Sequence, residues 1–169
     1  MKHYNRLLIA AGAAALSAGI YTSAASAATI SANTAANVIA PLTVAETNGG
    51  MNFGDVAVGT GGGTVVLDTG SGRSVTGDAE AVTGGTVQAG AYQVNGSGNK
   101  AYSITLPGST LITDGTNNMT VNGFNHDAGG SPALSAGVDT FNVGATLNIN
   151  GGQAANPYSG TYNLTVNYQ

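Results

Sequence analysis

Cysteine and tryptophan are absent from this chain, and charged residues supply only 7% of its 169 positions. Without cysteine no disulfide framework can form, so stability has to come from packing and backbone pairing. Basic residues number 4, and Lys2 and Arg6 stand at the amino end. Beyond them only Arg73 and Lys100 face the 8 carboxylates. Such a balance gives no electrostatic grip on nucleic acid or anionic lipid. No segment past the first thirty residues or so carries a helical stripe. What abounds is glycine, 27 residues, with alanine, threonine, asparagine and serine. Short alternating runs between glycine and asparagine point to an all-β domain. A disordered chain would lack the regularly spaced Val, Ile, Tyr and Phe found here.

The first stretch has its own logic. Lys2 and Arg6 precede an apolar run from Leu7 to Ile20, and Ala25-Ser26-Ala27 has the form of a cleavage site. Residues 1–27 are expected to be a secretory signal peptide. The run is shorter than the roughly 20 apolar residues that span a bilayer. No cysteine follows it, which excludes a lipid anchor at the cleavage site. The expected mature chain, Ala28 to Gln169, is exported through the inner membrane to the periplasm and then to the cell surface or medium, without membrane insertion.

Two segments alternate strictly. At the carboxyl end, Tyr162, Leu164, Val166 and Tyr168 fall on one side of an extended chain and Thr161, Asn163, Thr165 and Asn167 on the other. At the other end, Ile30, Ala32, Thr34, Ala36, Val38, Ala40, Leu42 and Val44 share a face. Fifteen extended residues would reach about 50 Å, and ordinary strands have about 5–6 residues. Pro41 marks a natural break. The segment is therefore divided into an extension, 28–37, and a first strand at about 38–47 of one β-sandwich domain, 38–169. Between the ends, strands or bends are expected at 51–59, 64–68, 73–76, 79–82, 86–96, 101–107, 110–113, 118–124 and 140–149. Segments 86–96 and 101–107 are expected to form a hairpin around Gly96-Ser-Gly-Asn99. The turn spacing suggests an immunoglobulin-like Greek-key sandwich.

Residues that could carry chemistry are few. His126, beside a glycine-rich turn, is the only histidine of the expected mature chain, and no cysteine is present to share a zinc ion. Asp78 and Glu80 lie two apart without the dense oxygen ligands of a calcium loop, and a charged edge strand accounts for them. Asp114 and Asp127 sit in turn contexts. Gly59-Thr-Gly-Gly-Gly63 opens onto a strand rather than a helix and reads as a flexible turn. No serine lies in a nucleophile elbow. No catalytic residue, cofactor or metal site is expected, and an enzyme is the least supported reading.

Further motifs appear in order: Met51-Asn-Phe-Gly54, Gly62-Gly-Thr-Val65, Ala91-Tyr-Gln-Val-Asn-Gly96, Tyr102-Ser-Ile-Thr-Leu-Pro107, Phe141-Asn-Val-Gly-Ala-Thr-Leu147 and Tyr158-Ser-Gly-Thr-Tyr162 with Val166-Asn-Tyr168. This series resembles the bacterial family called domain of unknown function 4402, which is similar to spore coat protein U and to archaic chaperone–usher pilins. The resemblance implies an exported surface or fimbrial sandwich with no catalytic residues or cofactors. Its partners would be copies of itself or related subunits, a periplasmic chaperone and an outer-membrane usher. Tyr168 matches the penultimate tyrosine of such terminal strands. Their glycine fourteen from the end is replaced here by Asn156, and the nearest glycine is Gly160.

A sandwich short of one strand can be completed by a neighbour's extended segment, which supplies backbone bonds along its length and side chains at every second position. Here Ile30, Ala32, Thr34 and Ala36 would enter a groove, and the terminal strand carrying Tyr162, Leu164, Val166 and Tyr168 would receive them. The expected function is a structural subunit of a surface filament or coat. Two alternatives stand beside it: a self-contained monomer, and a secreted binding module, for example for carbohydrate, using Tyr92, Tyr102, Tyr158, Tyr162 and Tyr168.

Overall fold

The computed structural model describes residues 26–169, so the signal-peptide expectation, up to residue 25, lies outside the described residues. The chain divides into a unit Met1–Ala36 and a compact unit Asn37–Gln169. In the first, residues 26–36 are exposed and take no regular secondary structure.

In the second unit, alternation decides which segments become strands and which face each buries. The strands are β1 (Thr43–Glu46), β2 (Asn52–Phe53), β3 (Val56–Leu67), β4 (Arg73–Ala81), β5 (Val87–Gln88), β6 (Gly90–Asn95), β7 (Tyr102–Thr105), β8 (Ser109–Thr113), β9 (Asn118–His126), β10 (Val138–Ile149) and β11 (Thr165–Tyr168). No helix occurs among the described residues. Along β10, Phe141, Val143, Ala145, Leu147 and Ile149 are all buried, the period of two that a half-buried strand requires. Tyr92 and Val94 do the same on β6, and Val65 and Leu67 on β3.

β10 is the hub. One of its edges pairs with β9; the other is divided, residues 138–143 pairing with β6 and 145–149 with β3. The division falls at Gly144, where a Cβ would strike the Leu67 carbonyl, so the close crossing of backbones needs glycine. The resulting seven-stranded antiparallel sheet runs β1-β6-β10-β3-β4, with β9 and then β8 branching from β10. β7 and β11 form a separate antiparallel pair, and β2 pairs with β5.

Two core clusters join these sheets into a β-sandwich. Tyr102 of β7 packs with Tyr92, Val94, Phe141 and Val143, and Ile104, Leu164, Val166 and Tyr168 close against them. Val65, Met119, Val121, Leu147 and Ile149 form the other cluster, under Phe53, Val58 and Ile112.

Three local expectations change. The first strand begins at Thr43, after Pro41, which cannot donate to a ladder. Segments 86–96 and 101–107 are not a hairpin: β6 pairs with β1 and β10, and β7 with β11. Their turn residues are real, but Gly96–Asn99 carries the chain from one sheet to the other, because Tyr92 and Tyr102 fill the same core from opposite layers. The glycine tract 59–63 is no free turn. It lies inside the 12-residue β3, at a register shift between Val58 and Gly63 opposite β4.

Candidate functional site

Two edges lack a strand partner where the first and last parts of the domain come together. β1 ends its sheet and bonds to β6 alone. The carboxyl-terminal segment docks first on β8, where Ser159 and Thr113 exchange backbone bonds of 2.8 and 3.0 Å and the Thr110 hydroxyl donates to the Thr161 carbonyl at 2.8 Å. It joins β7 only from Thr165 onward. Residues 162–164 between these anchors belong to no ladder.

A groove lies between the two edges. Its first cavity, about 510 Å³, is lined by Val44 and Glu46 on one side, Tyr162 and Leu164 on the other, and Tyr92, Val121 and Phe124. A second cavity, about 940 Å³, lies along Val56 and Val58, Tyr158, Met119, Leu147 and Ile149. Met51, Phe53, Ile112 and Gly160 border both. Several of these residues are the buried core itself, so the core of the sandwich opens into the groove instead of ending under a strand.

The groove has one closed end and a polar waist. At the closed end the Tyr168 hydroxyl accepts from the Ser97 amide at 2.7 Å and donates to the Ala40 carbonyl at 3.0 Å. Leu42, Val166 and Tyr168 pack there on the buried cluster. Further along, the Tyr92 hydroxyl donates to Glu46 Oε1 at 3.3 Å and shares a 2.5 Å bond with the Tyr162 hydroxyl. Burial, then the bond to Tyr162, pushes the Tyr92 phenol far above the ordinary tyrosine range. Burial also raises Tyr162. Since Ala40 meets Tyr168 and Glu46 lies at the Tyr92–Tyr162 pair, the two flanks run in opposite directions.

Of the residues singled out from sequence, Tyr162 and Leu164 line the groove, whereas Val166 and Tyr168 lie in the strand bonded to β7. All four are partly buried and their intervening neighbours are exposed. Ile30, Ala32, Thr34 and Ala36 are exposed, Ile30 at 93%. The tyrosines proposed for carbohydrate form no open row: Tyr102 is fully buried, Tyr92 is 9% exposed, and Tyr158, Tyr162 and Tyr168 are partly buried. Sequence reasoning did not single out Glu46, and it met Met51–Phe53 only as a family motif and not as a groove wall, because their roles depend on where distant segments cross.

The remaining candidates lie away from the groove. His126 sits at the end of β9, edge-on to Phe141 at 6.0 Å, with Nδ1 buried and unbonded. Asp78 Oδ2 accepts from the Gly61 amide at 2.7 Å and anchors the bulge in β3. Asp127 grips the Asn142 amide and side chain at 2.7 and 3.0 Å. Asp114 orders its turn and also takes a 2.8 Å bond from Asn156; bonds from Asn117, first of all, hold its carboxyl well below the usual range.

The family described as "Domain of unknown function (DUF4402)" matches residues 42–168, which takes in every strand and both cavities. Comparison with curated proteins and with solved structures finds no match in either.

Proposed function

The chain belongs to the domain of unknown function 4402 family, and on that premise we propose that it is a structural subunit of a surface filament or coat, assembled by donated β-strands. The observation that carries this reading is the groove between β1 and residues 160–164, with core side chains open to it. A strand laid there would give the free edges backbone partners and cover apolar area. The donor is the 28–37 extension of another copy. Ten residues reach about 33 Å when extended, enough to run the length of the flank 158–164. The extension carries no charged side chain, so inserting Ile30 to Ala36 buries no side-chain ion. Its inward side chains are small. At about 25 cal/mol per Å² they contribute only several kcal/mol, and backbone bonding must supply much of the rest. Export through the periplasm to the cell surface, with a chaperone and usher as helpers, belongs to the same proposal.

The test deletes residues 28–37 from the chain that starts at Ala28 and follows particle size by sedimentation. Full chains are expected to form concentration-dependent polymers. The truncated chain should stay monomeric and bind a 28–37 peptide added in trans. Equal monomeric behaviour of both chains, with no uptake of the peptide, would sink the proposal.

A further inference from the structure

We infer that the groove reads its incoming strand by size and by one hydroxyl, which together fix a single direction and register. Ile30, Ala32, Thr34 and Ala36 of a second copy lie beside Tyr158, Gly160, Tyr162 and Leu164, in parallel. This rests on the strand-donation reading above and adds the recognition rule.

Spacing comes first. Both series step by two residues, about 6.6 Å per step in parallel strands, so four positions meet four positions without slippage. Polarity then chooses the register. Thr34 is the one polar side chain of the inward four, and the groove has its polar waist at Glu46, Tyr92 and Tyr162. Glu46 takes one bond from Tyr92 through Oε1, and a carboxylate has capacity for more. A hydroxyl placed there replaces the water that insertion expels. An alanine or isoleucine there would leave the carboxylate with the Tyr92 hydroxyl as its one side-chain donor.

Size settles the direction. With Thr34 at Tyr162 and the strand parallel to 158–164, Ala32 meets the junction crowded by Met51, Phe53 and Ile112. Ile30, the largest inward residue, then reaches the larger cavity of about 940 Å³ beside Tyr158. Ala36 takes the narrow end by Val44 and Leu164. Reversal would carry Ile30 to Val166, at the closed end, where Val166 and Leu42 line neither cavity.

The chain has no cysteine, so introduced thiols report cleanly. Leu164→Cys chains are mixed with Ala36→Cys or with Ala32→Cys chains and oxidised after assembly. Cross-linking through position 36 and not 32 is expected. In parallel, Thr34→Val should weaken association about tenfold, and Thr34→Ser should restore most of it. These changes lie in the exposed extension and leave the receiving domain intact. Cross-linking through position 32 would overturn the direction while leaving strand donation standing. Full-strength assembly of Thr34→Val would overturn the hydroxyl rule. No cross-link from either position, in a chain that stays monomeric, would remove the proposal together with the donation reading beneath it.

Discussion

Tyr92 shows how one side chain serves both the core and the groove. Its ring stacks on Phe141 at 5.6 Å, while its hydroxyl holds Glu46 and Tyr162 together across the groove. Burial opposes ionisation, so the folded-state phenol titrates above the unfolded value of about 10. A folded pKa raised in this way contributes stability that is complete below pH ~10 and is lost as pH rises beyond it. Tyr102 behaves alike, buried and donating to Asp139 at 2.8 Å, and its phenol is raised too. The urea midpoint is therefore expected to hold steady towards neutral pH and to fall steeply above about pH 10. Tyr92→Phe should flatten that fall without abolishing it, since Tyr102 remains. A Tyr92→Phe chain with the same alkaline slope as the parent would show that the Tyr92 phenol is not responsible.

Among elements, the β2–β4 corner depends on a cation that the sequence did not reveal as structural. Arg73 opens β4, and its guanidinium donates to the carbonyls of Phe53, Asp55 and Val82 at 2.9, 2.8 and 2.9 Å. It passes so close to Gly54 that a Cβ there would lie 2.7 Å from Nη1. One planar fork thus ties the wall of the larger cavity to the end of β4. Arg73→Met is expected to cost about 2 kcal/mol, read as a lowered denaturant midpoint. Arg73→Lys should recover only part, because a single ammonium cannot span three carbonyls. A midpoint unchanged by Arg73→Met would show that the corner stands without it. The same elements mark how far sequence reasoning reaches. Alternation located β6, β9, β10 and the in-and-out pattern of residues 161–168, because burial on one face leaves that trace in any sandwich. It did not show that β6 and β7 lie in different layers, since a turn of glycine, serine and asparagine looks alike whether it closes a hairpin or crosses between sheets. Tyr162 and Leu164 were legible as edge residues. Glu46 was not, for nothing in Thr43–Glu46 foretells that residue 92 and residue 162 meet beside it.

The whole molecule is a sandwich whose first and last strands part before they would have to meet. Tyr168 and Leu42 close one end of the seam; beyond Leu164 it opens along both cavities. Backbone amides reveal whether such a seam is filled. Residues 162–164 have no ladder of their own, so in dilute, unassembled protein their amides should exchange within the fast local-opening range. Amides of β10, bonded on both edges, should resist up to global unfolding. On assembly the contrast should narrow, with 162–164 and the outer edge of β1 gaining protection and β10 changing little. Salt provides an independent check. The extension has no charged side chain to pair with Glu46 or Asp55 of the groove, so raising salt through the range that screens surface ions should leave assembly unimpaired. Amides of 162–164 that are already protected at dilutions where the particle is a monomer would mean that one chain fills its own seam. Donation between chains would then have no vacancy to act on.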